Sequence, residues 1–422
     1  MSKIKVLVLG DHPLSPSGVG IQTKYICEGM LKTGRFSIIS LGGAVKHHKY
    51  DPIMVDPWNE DFKIIPIDGY GTPDMIRSIV RTERIDMIWL MTDPRFWGWL
   101  WQIENELRPL VPMVYYHVWD NFPAPFFNRK YYLSNDVIVT ISKVTDKIVK
   151  EVAPEVKSIY LPHSVDTGIF KPLPENEITR IKNATYAQYE DDDPTKFTFF
   201  WNNRNARRKQ SGTLIYWFKD FLDQVGHDKA RLVMHTDPQD SHGQDLVQII
   251  DHLDLDNGQV LLSTKKLSPQ DLAAIYNMAD CTVNISDAEG FGLSTLESLA
   301  CGVPIIVNMT GGLQEQVTNG QDWFGFGVFP ASKAIIGSQE VPYIYEDRIS
   351  KEHFISSLKK MISLSKEDRK EMGLAGRQHI LENYNFENYK TKWAEIMLNV
   401  YETHGSWENR KGHNKINFLE VA

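Results

Sequence analysis

Glu289 and Glu297 stand eight positions apart in the run Asp287-Ala288-Glu289-Gly290-Phe291-Gly292-Leu293-Ser294-Thr295-Leu296-Glu297. An apolar strand is expected just before it, at 281–285, and Leu293, Leu296, Leu299 and Ala300 have the spacing of a helix's buried stripe. Gly290 and Gly292 permit a tight loop and a close backbone approach to a ligand. The start of the helix offers unpaired N–H groups and a positive dipole end to an anion. Carboxylates do not bind phosphate themselves. Placed beside an anion site, Glu289 and Glu297 suit pairs of sugar hydroxyls.

A second group, Arg204 and Lys209, lies in Trp201-Asn202-Asn203-Arg204-Asn205-Ala206-Arg207-Arg208-Lys209, after the expected strand at 197–200. Arginine gives bidentate hydrogen bonds to phosphate and lysine adds a mobile point charge. A third candidate is His117, at the end of an apolar strand at 113–116, with Asp120 three positions on and able to orient it. The alternative for His117 is a satisfied core histidine. Phe96, Trp97, Trp99 and Trp101 read as core, or with Arg95 as the lining of an acceptor site.

These residues need strands to carry them. Nearly continuous apolar runs are expected as strands at 4–9, 36–41, 85–91, 113–116, 137–140 and 158–161, with helical patterns between them. Proline and acidic residues interrupt the pattern between 171 and 196, including the run 190–193. A second series follows at 197–200, 231–234, 260–263, 281–285 and 304–307. Two such series imply two Rossmann-like α/β domains, whose ligands bind beyond the carboxyl ends of the strands. The division expected is 1–172 for the first domain, 173–196 for a linker and 197–385 for the second. A helix at 386–404 and a loosely ordered polar tail at 405–422 complete it.

At this point the chain resembles the retaining glycosyltransferases of the GT-B fold, family 4 above all. Glu289 and Glu297 form that family's E-x7-E pattern, and Arg204 and Lys209 its R-x4-K spacing. Ser17-Gly18-Val19-Gly20 is similar to its N-terminal glycine loop. Leu161-Pro162-His163-Ser164-Val165-Asp166 with Phe170-Lys171-Pro172 resembles its strand-to-linker signature, with Ser164 where glycine is usual. Gly311-Gly312-Leu313-Gln314-Glu315 resembles the loop before its last core helix. The stretches 234–238 and 241–245 look like those of virus-encoded relatives.

The resemblance implies two Rossmann-like domains with parallel sheets facing across a cleft, the first on the acceptor side. It implies a catalytic set of Glu289, His117, Arg204 and Lys209. Donor binding would fall to Glu297, Gly290, Phe291, Gly292, Leu293, Gly18 and Gly20. Within that set Glu289 would hold the transferred sugar, Glu297 the ribose, Arg204 and Lys209 the diphosphate, and His117 the donor sugar. Val118 stands where the family often has aspartate. The last helix would cross back to the first domain. No cofactor or metal is implied. The co-substrate is a nucleotide sugar, with UDP favoured over GDP, and the acceptor expected is a soluble hydroxyl compound.

Other readings are a GT-B phosphorylase or epimerase, and a non-catalytic sugar-nucleotide binding module. A further one is a transferase acting on hydroxymethylated pyrimidine in DNA, with Lys46, Lys49, Arg95 and the 97–101 tryptophans meeting the nucleic acid. The chain has 422 residues, with 46 Lys plus Arg against 54 Asp plus Glu, a formal net charge of −8. That balance opposes a non-specific nucleic-acid coat. Cys27, Cys281 and Cys301 are too few and too scattered for a disulfide scaffold or a four-cysteine zinc site. Asp191-Asp192-Asp193 and Asp254-Leu255-Asp256 imitate a metal-binding D-x-D but lie in polar connections. No run reaches the roughly 18 apolar residues of a membrane span, and 4–10 is too short for a signal-peptide core. A cytoplasmic protein without stable membrane insertion is expected.

Overall fold

The structure, a computed structural model, describes residues 3–187 and 193–413. Most of the acidic run 190–193, two residues of the 191–193 D-x-D imitation and the end of the tail, 414–422, lie outside the described residues. The chain forms two compact units. The first takes Met1–His163, Gly337–Tyr343 and Glu387–Ala422, so far as described, and the second Ser164–Ile336 and Ile344–Phe386.

The first unit is built on strands β1 (Ile4–Asp11), β2 (Phe36–Gly43), β3 (Ile53–Val55), β4 (Asn59–Pro66), β5 (Met87–Met91), β6 (Met113–His117), β7 (Val137–Thr140) and β8 (Lys157–Tyr160). Their order is β3-β4-β2-β1-β5-β6-β7-β8, and only the β3–β4 pairing is antiparallel. Val6, Leu7, Val8, Leu9 and Met87 through Leu90 are fully buried, which is why these strands read as unbroken apolar runs: helices cover both faces. The order reverses at β1, so the crevice for a ligand lies beyond the ends of β1 and β5.

The second unit repeats the plan with β9 (Phe197–Asn202), β10 (Ala230–His235), β11 (Val260–Ser263), β12 (Cys281–Asn284), β13 (Ile305–Asn308) and β14 (Gly325–Val328). The order is β11-β10-β9-β12-β13-β14, parallel throughout. Its core joins Phe199 and Trp201 to Leu214, Phe218 and Phe221 on the helix Ser211–Val225. Here the reversal falls between β9 and β12. A hairpin of β15 (Ser332–Ile336) and β16 (Ile344–Arg348) follows β14.

The boundary expected at 172 moves to 163. Asn277, on the helix Pro269–Met278, donates to the Lys171 carbonyl at 3.0 Å and accepts from the Leu173 amide at 2.8 Å, fastening that stretch to the second unit. Ser164 donates its hydroxyl to the Tyr384 carbonyl at 2.6 Å. The helix Phe386–His404 lays buried Tyr389, Trp393, Met397 and Val400 against the first unit. Gly29 receives it, because a Cβ there would stand 2.6 Å from the Lys390 carbonyl oxygen. The tail from 405 was expected to be loose, yet residues 405–413 are pinned. Trp407 donates to the Ile85 carbonyl at 2.8 Å and Arg410 to buried Asp136 at 2.6 Å. Asp254 and Asp256 are exposed, as expected for a solvated turn. Among the described residues no helix is long and apolar enough to cross a membrane.

Candidate active site

The site forms where the second sheet reverses. The loop after β9 brings Lys209 and the loop after β12 brings Glu289, and the two form a buried ion pair. Asn284, the last residue of β12, adds an amide donor to the same carboxylate at 3.4 Å. Burial pushes the Glu289 carboxyl up, but the Lys209 ammonium and the Arg208 guanidinium more than reverse this, leaving it below the ordinary carboxylate range. Arg208 also donates to the Ala288 carbonyl. The cation of one loop therefore sets the place and charge of the acid on the other.

Gly292 caps the helix Leu293–Ala300 with φ at +92°, a conformation glycine adopts without penalty. A Cβ there would meet Leu313 at 2.5 Å and Thr295 at 2.8 Å. No side chain caps this helix and its first turn holds no acid, so its N–H groups are open to an anion. Gly312 and Gln316 fix the glycine turn from the other side. Gln316 donates to the Phe291 carbonyl at 2.7 Å, and the Gly312 amide donates to the Glu289 carbonyl at 3.2 Å.

Glu297 faces a relay that its sequence neighbours do not reveal. The Tyr276 hydroxyl donates to its carboxylate at 2.8 Å and accepts from the Asn202 amide at 2.9 Å. Burial raises the Glu297 pKa to about 7, with the Tyr276 hydrogen bond pulling the other way. An ordinary glutamate titrates near 4.5, so between these values the folded state holds the extra proton and stability falls as pH rises. Glu297→Gln is therefore expected to melt several degrees above the parent at about pH 8 and level with it at about pH 4. Equal differences at both pH values would contradict the assignment.

Arg204 shares the loop of Lys209 but is exposed. Its guanidinium engages Asp240 at 2.6 and 3.1 Å and the His242 ring at 2.7 Å. Those partners come from the loop after β10, which packs on this one. Gly243 has no room for a Cβ, because the Asn205 side chain would lie 2.1 Å away. Sequence reasoning missed Asn202, Asn284, Tyr276 and Asp287, since single polar residues at strand ends and on helix faces carry no spacing signal. Asp287 is buried and accepts from Gln210 at 2.6 Å, and burial raises its pKa to about 6.

In the first unit, Ser17 caps the helix Gly18–Lys32. Its hydroxyl accepts from the Gly20 amide at 3.0 Å and donates to Asp11 at 2.7 Å. A Cβ on Gly20 would meet the Ser15 hydroxyl at 2.3 Å. Two expectations need correcting here. His117 is fully buried, and its ring nitrogens pair with the hydroxyls of Tyr115 at 2.9 Å and Tyr132 at 2.7 Å. Burial pushes its pKa down to about 3, so it is a neutral core histidine with no face left for a sugar. Trp97 is likewise fully buried and donates to the Met91 carbonyl at 3.0 Å, and Trp101 is 5% exposed. Neither can line an acceptor site or stack on a base. Arg95 is exposed and paired with Asp93 at 3.0 Å, and Asp120 is half-buried in the loop after β6.

Residues 186–379 match the family described as glycosyl transferases group 1. That match takes in slightly less than half of the chain. The matched residues include Arg204, Lys209, Glu289 and Glu297 alike. The D-inositol 3-phosphate glycosyltransferase of Kineococcus radiotolerans is 26% identical over 170 residues, 39% of this chain and 37% of that protein. The chain thus spans little more than a third of that relative's length. Sucrose-phosphate synthase of Thermosynechococcus elongatus superposes with a TM-score of 0.73 at 15% identity, over 95% of this chain and all of the other. The Anabaena protein HepE, in complex with UDP and glucose, gives 0.67 at 14% identity over 94% and 100%. These likenesses establish the GT-B fold, two Rossmann-like domains.

Proposed function

We propose that the protein is a retaining, metal-independent glycosyltransferase of family 4 that moves a sugar from a nucleoside diphosphate sugar to a hydroxyl. The observation that carries this is the meeting of Lys209 and Glu289, from two loops at one switch point, beside an uncapped helix N-terminus. In this reading the helix N–H groups, Lys209 and Arg204 take the diphosphate, Arg204 exchanging Asp240 for phosphate. Glu289 holds hydroxyls of the transferred sugar and Glu297 those of the ribose. The bond from the anomeric carbon to the leaving phosphate breaks, and a bond to the acceptor oxygen forms on the same face. The acceptor proton passes to the leaving phosphate oxygen. Positive groups aimed at charge developing on that phosphate stabilise the transition state.

UDP is the favoured nucleotide, in keeping with the UDP and glucose bound by HepE. The acceptor we favour is a small soluble polyol, as the name of the Kineococcus relative suggests. DNA is less favoured, because Trp97 and Trp101 are core residues. Arg95 and Asp120, both reaching the surface, remain the acceptor-side residues of this reading.

A thermal-shift comparison of UDP-, GDP- and ADP-sugars tests the donor. A ligand at about 100 times its Kd stabilises by about 2.7 kcal/mol. A UDP-sugar is expected to give the largest rise in Tm. No rise with any of the three would defeat the reading.

A further inference from the structure

The β15–β16 hairpin follows the last strand of the second sheet and, among the described residues, pairs with no strand of it. Its second strand nevertheless carries a carboxylate, Glu346, that is 1% exposed. A buried carboxylate is costly unless it is paired and hydrogen-bonded. Glu346 is both. Arg207 makes a two-pronged contact with it, at 3.0 and 2.5 Å, and Arg348 adds a third bond at 3.1 Å. Arg207 opens the short turn Arg207–Lys209 that ends on the lysine of the site.

The next residue of β16 reaches the other loop. The Asp347 amide donates to the Asp287 carbonyl at 2.8 Å, and its carbonyl accepts from Asn308 at 2.7 Å. Its carboxylate accepts from the Thr310 hydroxyl at 2.8 Å. Asp287 lies two residues before Glu289, and its amide donates to the Arg208 carbonyl at 2.8 Å. Three consecutive residues, Glu346 to Arg348, therefore bind the loop of Lys209 and the loop of Glu289 together. Gln210, just after the Arg207–Lys209 turn, sits at a φ of +56°, a conformation uncommon for a residue with a side chain.

We propose that Glu346 is a positioning residue, which through Arg207 holds the Arg207–Lys209 turn so that Lys209 meets the donor diphosphate. This rests on the donor reading given above. Glu346 touches neither Lys209 nor Glu289 through any of its three bonds, so it acts through the turn. Arg207, at 57% side-chain exposure, is fixed from below by the carboxylate while its other side faces solvent.

The test compares UDP and uridine as ligands of the full chain and of two variants. Glu346→Gln keeps the shape but loses the charge, and Glu346→Asp keeps the charge. Calorimetric titration gives the UDP affinity, and uridine is measured as a competitor. Glu346→Gln is expected to weaken UDP by about tenfold, in the range of other losses of a supporting partner. Uridine, which has no phosphate for Lys209, should be unchanged, and Glu346→Asp should recover most of the UDP affinity. A merely structural residue would weaken both ligands together. Equal losses for UDP and uridine, or no loss for UDP, would overturn the proposal. If the parent chain binds none of UDP, GDP or ADP, the donor reading itself fails and the positioning role falls with it. If it binds GDP or ADP instead, the same comparison is run with that nucleotide and its nucleoside.

Discussion

Lys209→Ala is expected to lower donor turnover, as kcat/KM, by at least about a hundredfold, the size of effect seen when a preorganised donor to a developing anion is removed. It is also expected to destabilise the second unit by about 3–5 kcal/mol, because truncating one partner of a buried pair strands the other charge. The two consequences separate experimentally. The side chains of Lys209 and Glu289 are 9% and 11% exposed, so an apolar pair of similar volume fits the space. Lys209→Met combined with Glu289→Leu should regain most of the lost stability in urea unfolding and none of the activity. A Lys209→Ala protein that is stably folded and turns over donor within about threefold of the parent would remove the lysine from the chemistry.

The second large effect lies in the first unit. Trp393 is fully buried on the helix Phe386–His404, with its ring 4.8 Å from that of Tyr116 and 5.9 Å from that of Trp89, both edge-on. Removing a buried tryptophan side chain costs about 3–5 kcal/mol, through lost burial and the cavity left behind. Trp393→Ala should therefore shift the unfolding of the first unit to markedly lower denaturant. Trp393→Phe should fall between the two, since it keeps an edge-on ring. A loss below about 1 kcal/mol would mean that the helix is only loosely seated.

How far the sequence foretold this molecule depends on the kind of signal. The apolar runs at 137–140 and 260–263 are strands with those same ends, because a strand covered on both faces leaves an unbroken apolar mark. The strand β4 begins Asn59-Glu60-Asp61 and β16 reads Ile344-Tyr345-Glu346-Asp347-Arg348, so neither shows such a run, and both escaped notice. That Lys209 and Glu289 each follow a strand of the second series was legible, but their ion pair was not, because it depends on a strand order that brings those two strand ends together. Glu346 was invisible altogether: its partner lies 139 positions away and no local spacing marks the pair.

His117 shows the limit most plainly. A histidine closing an apolar strand reads the same whether it faces a ligand or the core. What decides is the pair of tyrosine hydroxyls, one two residues back and one on the helix Arg129–Leu133. Trp97 failed similarly: an aromatic cluster after a strand is ambiguous until its indole N–H is seen to be satisfied by the Met91 carbonyl. In Arg204 the motif was legible and its unliganded partner was not, since Asp240 lies on another loop.

The proposed activity is cleavage of a nucleoside diphosphate sugar with the anomeric configuration kept. The most direct measurement is proton NMR of the sugar released from UDP-α-glucose in water, followed from the first moments, before the anomers equilibrate. UDP-galactose and UDP-N-acetylglucosamine serve as parallel donors. The α-anomer is expected to appear first from at least one of them, and Lys209→Ala is expected to abolish its release. First appearance of the β-anomer, or release that Lys209→Ala leaves unchanged, would contradict it.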